Sequence, residues 1–265
     1  MSRSDITPDP WAELRAHTPA RVALGRSGVS LPTPELLRFG SAHALARDAV
    51  HLPLDVPALS ERLQAAGWPV LNVHSAAPDR ATYLLRPDLG RRLSEASIAA
   101  LQARAEEATV CDIQLVVADG LSSLAVSRHA LPLIEQIRAQ APAGWRFGPI
   151  VVAQQARVAL GDPVGELMRA KLVVVLIGER PGLSSPDSLG IYLTWAPRSG
   201  RNDAERNCIS NVRPEGLGYA AAARKLLWLC GEAQRLQLSG VPLKDRSDVV
   251  QVGAASPTHV LPDAT

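Results

Sequence analysis

Beyond about residue 108, short apolar runs alternate with stretches that carry an apolar stripe at helical spacing. The clearest run is Leu172 to Ile177, which ends abruptly in Gly178-Glu179-Arg180-Pro181-Gly182. A continuous apolar run closed by turn residues predicts a buried central strand. Asp112 to Ala118 and Pro149 to Ala153 repeat the pattern, and Gly190 to Ala196 reads as a fourth strand. Between them, Ser123 to Ala139 places Leu124, Leu131, Ile134 and Ile137 on a helix. Asp162 caps a short helix with Pro163 in its first turn, and Gly216 to Leu236 closes the unit as a helix. Strands alternating with helices predict an α/β fold with a parallel sheet wound by right-handed crossovers.

Before residue 108 the pattern is looser. Residues 1–19 are polar and proline-punctuated, with a short helix expected from Trp11 to His17. Thr33 and Pro34 open a helix whose stripe runs through Leu36, Leu37, Phe39, His43, Ala44 and Val50. Val56 to Gly67 and Asp88 to Glu107 are further helices. Val70 to Val73 and Thr82 to Leu85 are short strand candidates that could pair as a satellite unit. The expected division is a mainly helical extension over residues 1–108, a sheet domain over 109–240 and a polar tail over 241–265.

Composition narrows the function classes. The chain has 265 residues, 46% hydrophobic and 20% charged, with a formal net charge of +2. That suits a globular protein with a sizeable core. The sequence holds no dense Lys/Arg block, so no nucleic-acid partner is expected. The longest apolar run falls far short of the roughly 20 residues that cross a bilayer, so no membrane partner is expected either. The polar, acidic start does not read as a secretory signal. Cys111, Cys208 and Cys230 are widely spaced and form no CxxC pair, which points to a reducing cytoplasm. The six histidines do not group with Cys or carboxylates at metal-ligand spacing, so no metal site is expected.

A parallel sheet brings its strand-to-helix loops to one edge. Asp119 to Ser122, Gln155 to Val158, Glu179 to Gly182 and Asp203 to Asn211 are therefore expected around one crevice suited to a polar ligand. Gly216-Leu-Gly218-Tyr-Ala-Ala221 fits a dinucleotide fingerprint, but the residues before it do not read as a strand. It reads instead as a helix entry with small residues for close packing. The sequence contains no P-loop, HExxH or GxSxG motif. Arg201 and Arg206 near Cys208 would favour a thiolate, but no base accompanies it, and a packed cysteine is the commoner outcome. No general acid/base pair can be assigned, which argues against a self-sufficient enzyme.

Five stretches carry a family resemblance: ARVALGRSGVSLPT, SAHALARDAVH, DIQLVVADGLSSLAV, ARVALGDPVGELMRAKLVVVLIGERPGLSSPDSLGIYLTWAPR and DAERNCISNVRP. Together they span about Ala20 to Gly240 and resemble the small (light) subunit family of ethanolamine ammonia-lyase. The resemblance implies a Rossmann-like doubly wound, mostly parallel sheet with a mainly helical N-terminal extension. It implies a subunit of an adenosylcobalamin-dependent lyase that converts ethanolamine to acetaldehyde and ammonia. The substrate and its catalytic groups would reside on a large barrel subunit, so no catalytic residue is assigned to this chain.

Carried over by motif, the cobalamin contacts fall at Val158 in ARVALGD, Glu179 in GERPG and Cys208 in NCISN. Glu179 would position the cofactor rather than move a substrate proton. The DxHxxG signature is missing, which agrees with the family's retention of the cofactor's own base on cobalt, and no protein metal ligand is assigned. Residues 1–108 would contact the large subunit in a hetero-oligomer, in the free cytoplasm or a bacterial microcompartment. Two alternatives stay open: a stand-alone Rossmann-like enzyme binding a nucleotide or sugar, and a purely structural subunit.

Overall fold

Six strands form one mixed sheet in the computed structural model, which describes residues 6–107 and 110–248. They are β1 (Val70–His74), β2 (Ile113–Ala118), β3 (Ile150–Gln154), β4 (Leu172–Gly178), β5 (Leu189–Trp195) and β6 (Arg206–Val212). Their spatial order is β1-β3-β2-β4-β5-β6. The first four in that order run parallel. β4 lies at the centre with every residue buried, as its unbroken apolar run requires.

Helices cover both faces, and the strand pleat divides the core between them. On one face Ile113, Leu115 and Val117 meet the core that includes α2 (Val56–Ala65), α5 (Ser123–Gln140) and α7 (Tyr219–Leu236). On the other, Val116, Ala118, Val173 and Val175 meet α4 (Glu95–Glu107) and α6 (Gly161–Leu167). α5 starts where the Ser122 hydroxyl accepts the Ala125 N–H at 3.2 Å, and α2 where Asp55 accepts that of Ala58 at 3.0 Å.

The structure revises the sequence reading in five places. β5 is antiparallel to β4, and β6 is antiparallel to β5, so the parallel order stops at β4. The segment expected as a loop from Asp203 to Asn211 is a single 3-10 turn followed by strand β6. Val70 to Val73 pairs with β3 in the main sheet, not with a satellite partner. Thr82 to Leu85 belongs to a helix, α3 (Arg80–Leu85), because Asp79 accepts the Thr82 N–H at 2.7 Å and starts a turn there.

Asp162 lies inside the first turn of α6 instead of capping it, because its carboxylate is spent on Arg206. The remaining long helix, α1 (Thr33–His51), follows a 3-10 turn at Ala12–Ala16 and buries Ala49 alone. The expected tail lies outside the described residues after residue 248.

Candidate functional site

Three of the expected loops do converge at the carboxyl edge of the parallel strands. Asp119, one residue past β2, is buried and accepts the N–H groups of Gln155 and Ala156, both at 2.9 Å. Arg80 reaches the same carboxylate at 3.3 Å and donates to the Gly120 carbonyl at 2.8 Å. Burial pushes the Asp119 carboxyl above its ordinary range, opposed by those N–H groups and by Arg80. Gly120 has φ +56°, and a Cβ there would collide with the Gly178 carbonyl. The Leu121 N–H bonds that carbonyl at 2.9 Å, which locks the β2 and β4 loops together.

Glu179 leaves β4 beside the hairpin partner. Its own N–H donates to Ser188 at 3.0 Å, and its Oε2 accepts the Asn211 N–H at 3.2 Å. Asn211 takes φ +57° near the end of β6, where the β5–β6 register shifts, and this turns its amide toward the carboxylate. A Cβ at Gly190 would lie only 3.1 Å from Glu179 Oε1, so glycine makes room for the side chain over β5. Among the described residues no donor engages Oε1.

Cys208 is not in a loop. It stands on β6 opposite Tyr192 of β5, on the exposed side of the strand. Partial burial, aided by the Glu179 carboxylate, raises the Cys208 thiol pKa against its hydrogen bond with Tyr192. Burial also raises the Tyr192 hydroxyl pKa. Both groups are therefore neutral near pH ~7. The cations that the sequence placed near Cys208 are engaged elsewhere. Arg206 is buried and grips Asp162 through both terminal nitrogens, at 2.6 and 2.8 Å, while Arg201 pairs with Glu205. The geometry thus favours a packing thiol over a nucleophile.

Val158 opens the 3-10 turn after β3 and is half-buried. It lines an open depression of about 380 Å³ with Gly120, Leu121, Glu179, Arg180 and Tyr192. A second depression of about 210 Å³, which includes Asp203 and Cys208, shares Arg157, Val158 and Tyr192 with the first. The structure therefore brings Val158, Glu179 and Cys208 to adjoining depressions, although only two of them come from loops. The antiparallel strands create this geometry: α7 covers their other face, while Tyr192 and Cys208 look toward the depressions.

Three lining residues escaped the sequence reading. Tyr83 of α3 is fully buried, and its hydroxyl donates to the Ala156 carbonyl at 3.1 Å. Arg80 and Arg157 both lie over its ring, at 4.9 and 4.5 Å from the centroid. Tyr192 joins the two depressions. The Thr82 to Leu85 segment reads as a strand, and Arg157 falls within the Gln155 to Val158 loop expected at the crevice without being singled out, so no local signal marks its pairing with Tyr83.

Among the described residues, no group of three or more His, Cys, Asp or Glu side chains could hold a metal ion. Among the same residues no helix is long and apolar enough to cross a membrane.

A family model described as ethanolamine ammonia-lyase light chain matches residues 8–244. The chain is 58% identical over 251 residues to the ethanolamine ammonia-lyase small subunit of Pseudomonas aeruginosa strain LESB58, covering 94% of this chain and 92% of that protein. It is 61% identical over 250 residues to the small subunit from Ralstonia nicotianae, covering 92% and 91%. The small subunit from Azotobacter vinelandii is 57% identical over 255 residues, covering 96% and 94%.

Proposed function

The chain belongs to the ethanolamine ammonia-lyase light-chain family, and on that premise we propose that it helps hold adenosylcobalamin against a large catalytic subunit. In this reading the assembled lyase converts ethanolamine to acetaldehyde and ammonia. The observation that carries the reading is the convergence of Val158, Glu179 and Cys208 on adjoining open depressions.

The donor set fits a corrinoid. Its rim carries amide arms, and Glu179 Oε1 is an acceptor without an internal donor. The aliphatic Val158, the Tyr192 ring and a neutral Cys208 thiol offer weakly polar packing surface. When bound, the cofactor supplies the radical chemistry through homolysis of its cobalt–carbon bond. This chain's residues orient the group and keep water from one side of it. A depression of about 380 Å³ is small beside a corrinoid, so a second subunit must cover the remainder.

The N-terminal extension supplies a surface for that partner. Val29, Leu36, Leu37, Phe39 and Leu45 are exposed there, and α1 buries almost nothing against its own chain. We place the large subunit on this face because a light chain has a heavier partner. The same reading assigns the hetero-oligomer to the cytoplasm, free or within a bacterial microcompartment.

The test is ethanolamine-dependent acetaldehyde formation with adenosylcobalamin, using this chain, its large subunit, and both mixed. Activity is expected in the mixture alone. Activity of this chain by itself would favour a stand-alone enzyme. Activity of the large subunit, unchanged on mixing, would leave a structural role.

A further inference from the structure

The charges around the depressions do not balance. Arg80 is matched by Asp119, and Arg206 by Asp162 with Asp203. Among the described residues Arg91, Arg157 and Arg180 form no ion pair, and all three line the depressions. Among the described residues Glu179 is the one lining carboxylate not committed to a cation. The site therefore carries surplus positive charge, which a neutral amide rim would not require.

Arg157 stands out among the three because it is held in place. Its backbone N–H donates to the Gly90 carbonyl at 2.8 Å. Its side-chain stem passes so near Gly90 that a Cβ there would lie 3.1 Å from Arg157 Cγ. Its guanidinium rests 4.5 Å from the Tyr83 ring centroid. Among the described residues its buried Nε has no hydrogen-bond partner. A buried N–H donor left unsatisfied is costly, and a planar guanidinium suits two parallel bonds to an oxyanion. Because packing has already fixed the side chain, little rotamer freedom remains to be lost on binding.

We propose that Arg157 is the anchor of a phosphate subsite, donating from its guanidinium to the phosphodiester of the cofactor's nucleotide tail. This rests on the cofactor reading above and assigns the tail, not the corrin rim, to the Arg157 side of the depressions. Arg91 and Arg180 add longer-range attraction without fixed geometry. The Tyr83 ring and Gly90 act as positioning groups for the guanidinium.

The test measures equilibrium binding of three corrinoids to the assembled complex: cobalamin, cobinamide phosphate, which keeps the phosphate without the base, and cobinamide, which lacks both. Arg157→Gln should weaken cobalamin and cobinamide phosphate about 10- to 100-fold and leave cobinamide unchanged. Arg157→Lys should recover part of the loss by restoring charge without the fork. An equal loss for all three corrinoids, or no loss for any, overturns the phosphate subsite. So does failure of Arg157→Gln to assemble while Arg157→Lys assembles and binds as wild type, since the anion would then be a carboxylate of the large subunit. If the wild-type complex binds none of the three, the cofactor reading itself fails and this inference falls with it.

Discussion

In β4 every side chain from Leu172 to Gly178 is buried, whereas in α1, with 19 residues, only Ala49 is. Of the fifteen large apolar side chains exposed among the described residues, eleven lie between Ile6 and Leu52. β4 is a continuous apolar run and α1 a helical stripe, but either becomes core only when something faces it. The sheet supplies its own opposing surfaces. The extension is tied to the body by such contacts as Arg80 to the Val50 carbonyl at 2.8 Å and Arg21 to the Leu183 carbonyl at 3.4 Å. The lesson is that one region buries its apolar surface within the chain, while the other leaves much of its apolar surface exposed.

The contrast breaks first, if it breaks, at Leu176. This side chain is fully buried between the sheet and the core shared with α5 and α7. Leu176→Ala should lower the unfolding free energy by about 2–5 kcal/mol, read from the urea midpoint at constant slope. A loss as small as that of an exposed leucine would mean that the core is not closed.

Asp112 sharpens the comparison through pH. It joins the start of β2 to Lys171 at 2.8 Å and to the Arg146 N–H and Nε at 3.0 and 3.2 Å. Burial opposes its ionisation, yet these donors prevail and lower its pKa from 3.8 to about 2. A carboxylate depressed in the folded state stabilises above its unfolded pKa and loses that contribution as pH falls through the folded value. Asp112→Asn should therefore cost about 1–2 kcal/mol near pH 7, allowing for exposed partners, and almost nothing below pH about 2. Denaturation at both pH values checks this, and an equal gap at the two would rule it out.

The smallest effect on the isolated chain belongs to α1. Leu37 is 66% exposed, so Leu37→Ala should change the chain's own stability by less than about 0.5 kcal/mol. The same change should weaken association with the large subunit in a sedimentation titration. Unaltered association would remove α1 from the interface.

Much of the body was legible because its signals are local. The run from Leu172 to Ile177 could only be a central strand, and Ser122 marks the start of α5 as a cap should. Strand direction is different. Nothing in Gly190 to Ala196 says whether the chain returns beside β4 or crosses over, since both bury the same apolar residues. Arg206 to Val212 reads as a loop because half its positions face outward, and its buried arginine is tolerated only through Asp162, 44 residues away. The candidate site shared this limit. Val158 and Glu179 follow strands whose placement is local, but Arg157 gains meaning from Tyr83 and Gly90, which the fold brings from far upstream.

The turned-out backbone at Asn211 has a consequence for the company the protein keeps. β6 is an outer strand of the sheet, and an outer strand offers unpaired peptide groups to any other extended chain. Here the kink at Asn211 spoils the straight ladder at one end. Near the other end, Asn207 bonds Gly240 and Leu243 and draws that segment across the flank. What remains between them is only Cys208, Ile209 and Ser210, with Ile209 turned into the core. The same irregularity that aims an amide at Glu179 thus also guards the sheet against edge-to-edge aggregation.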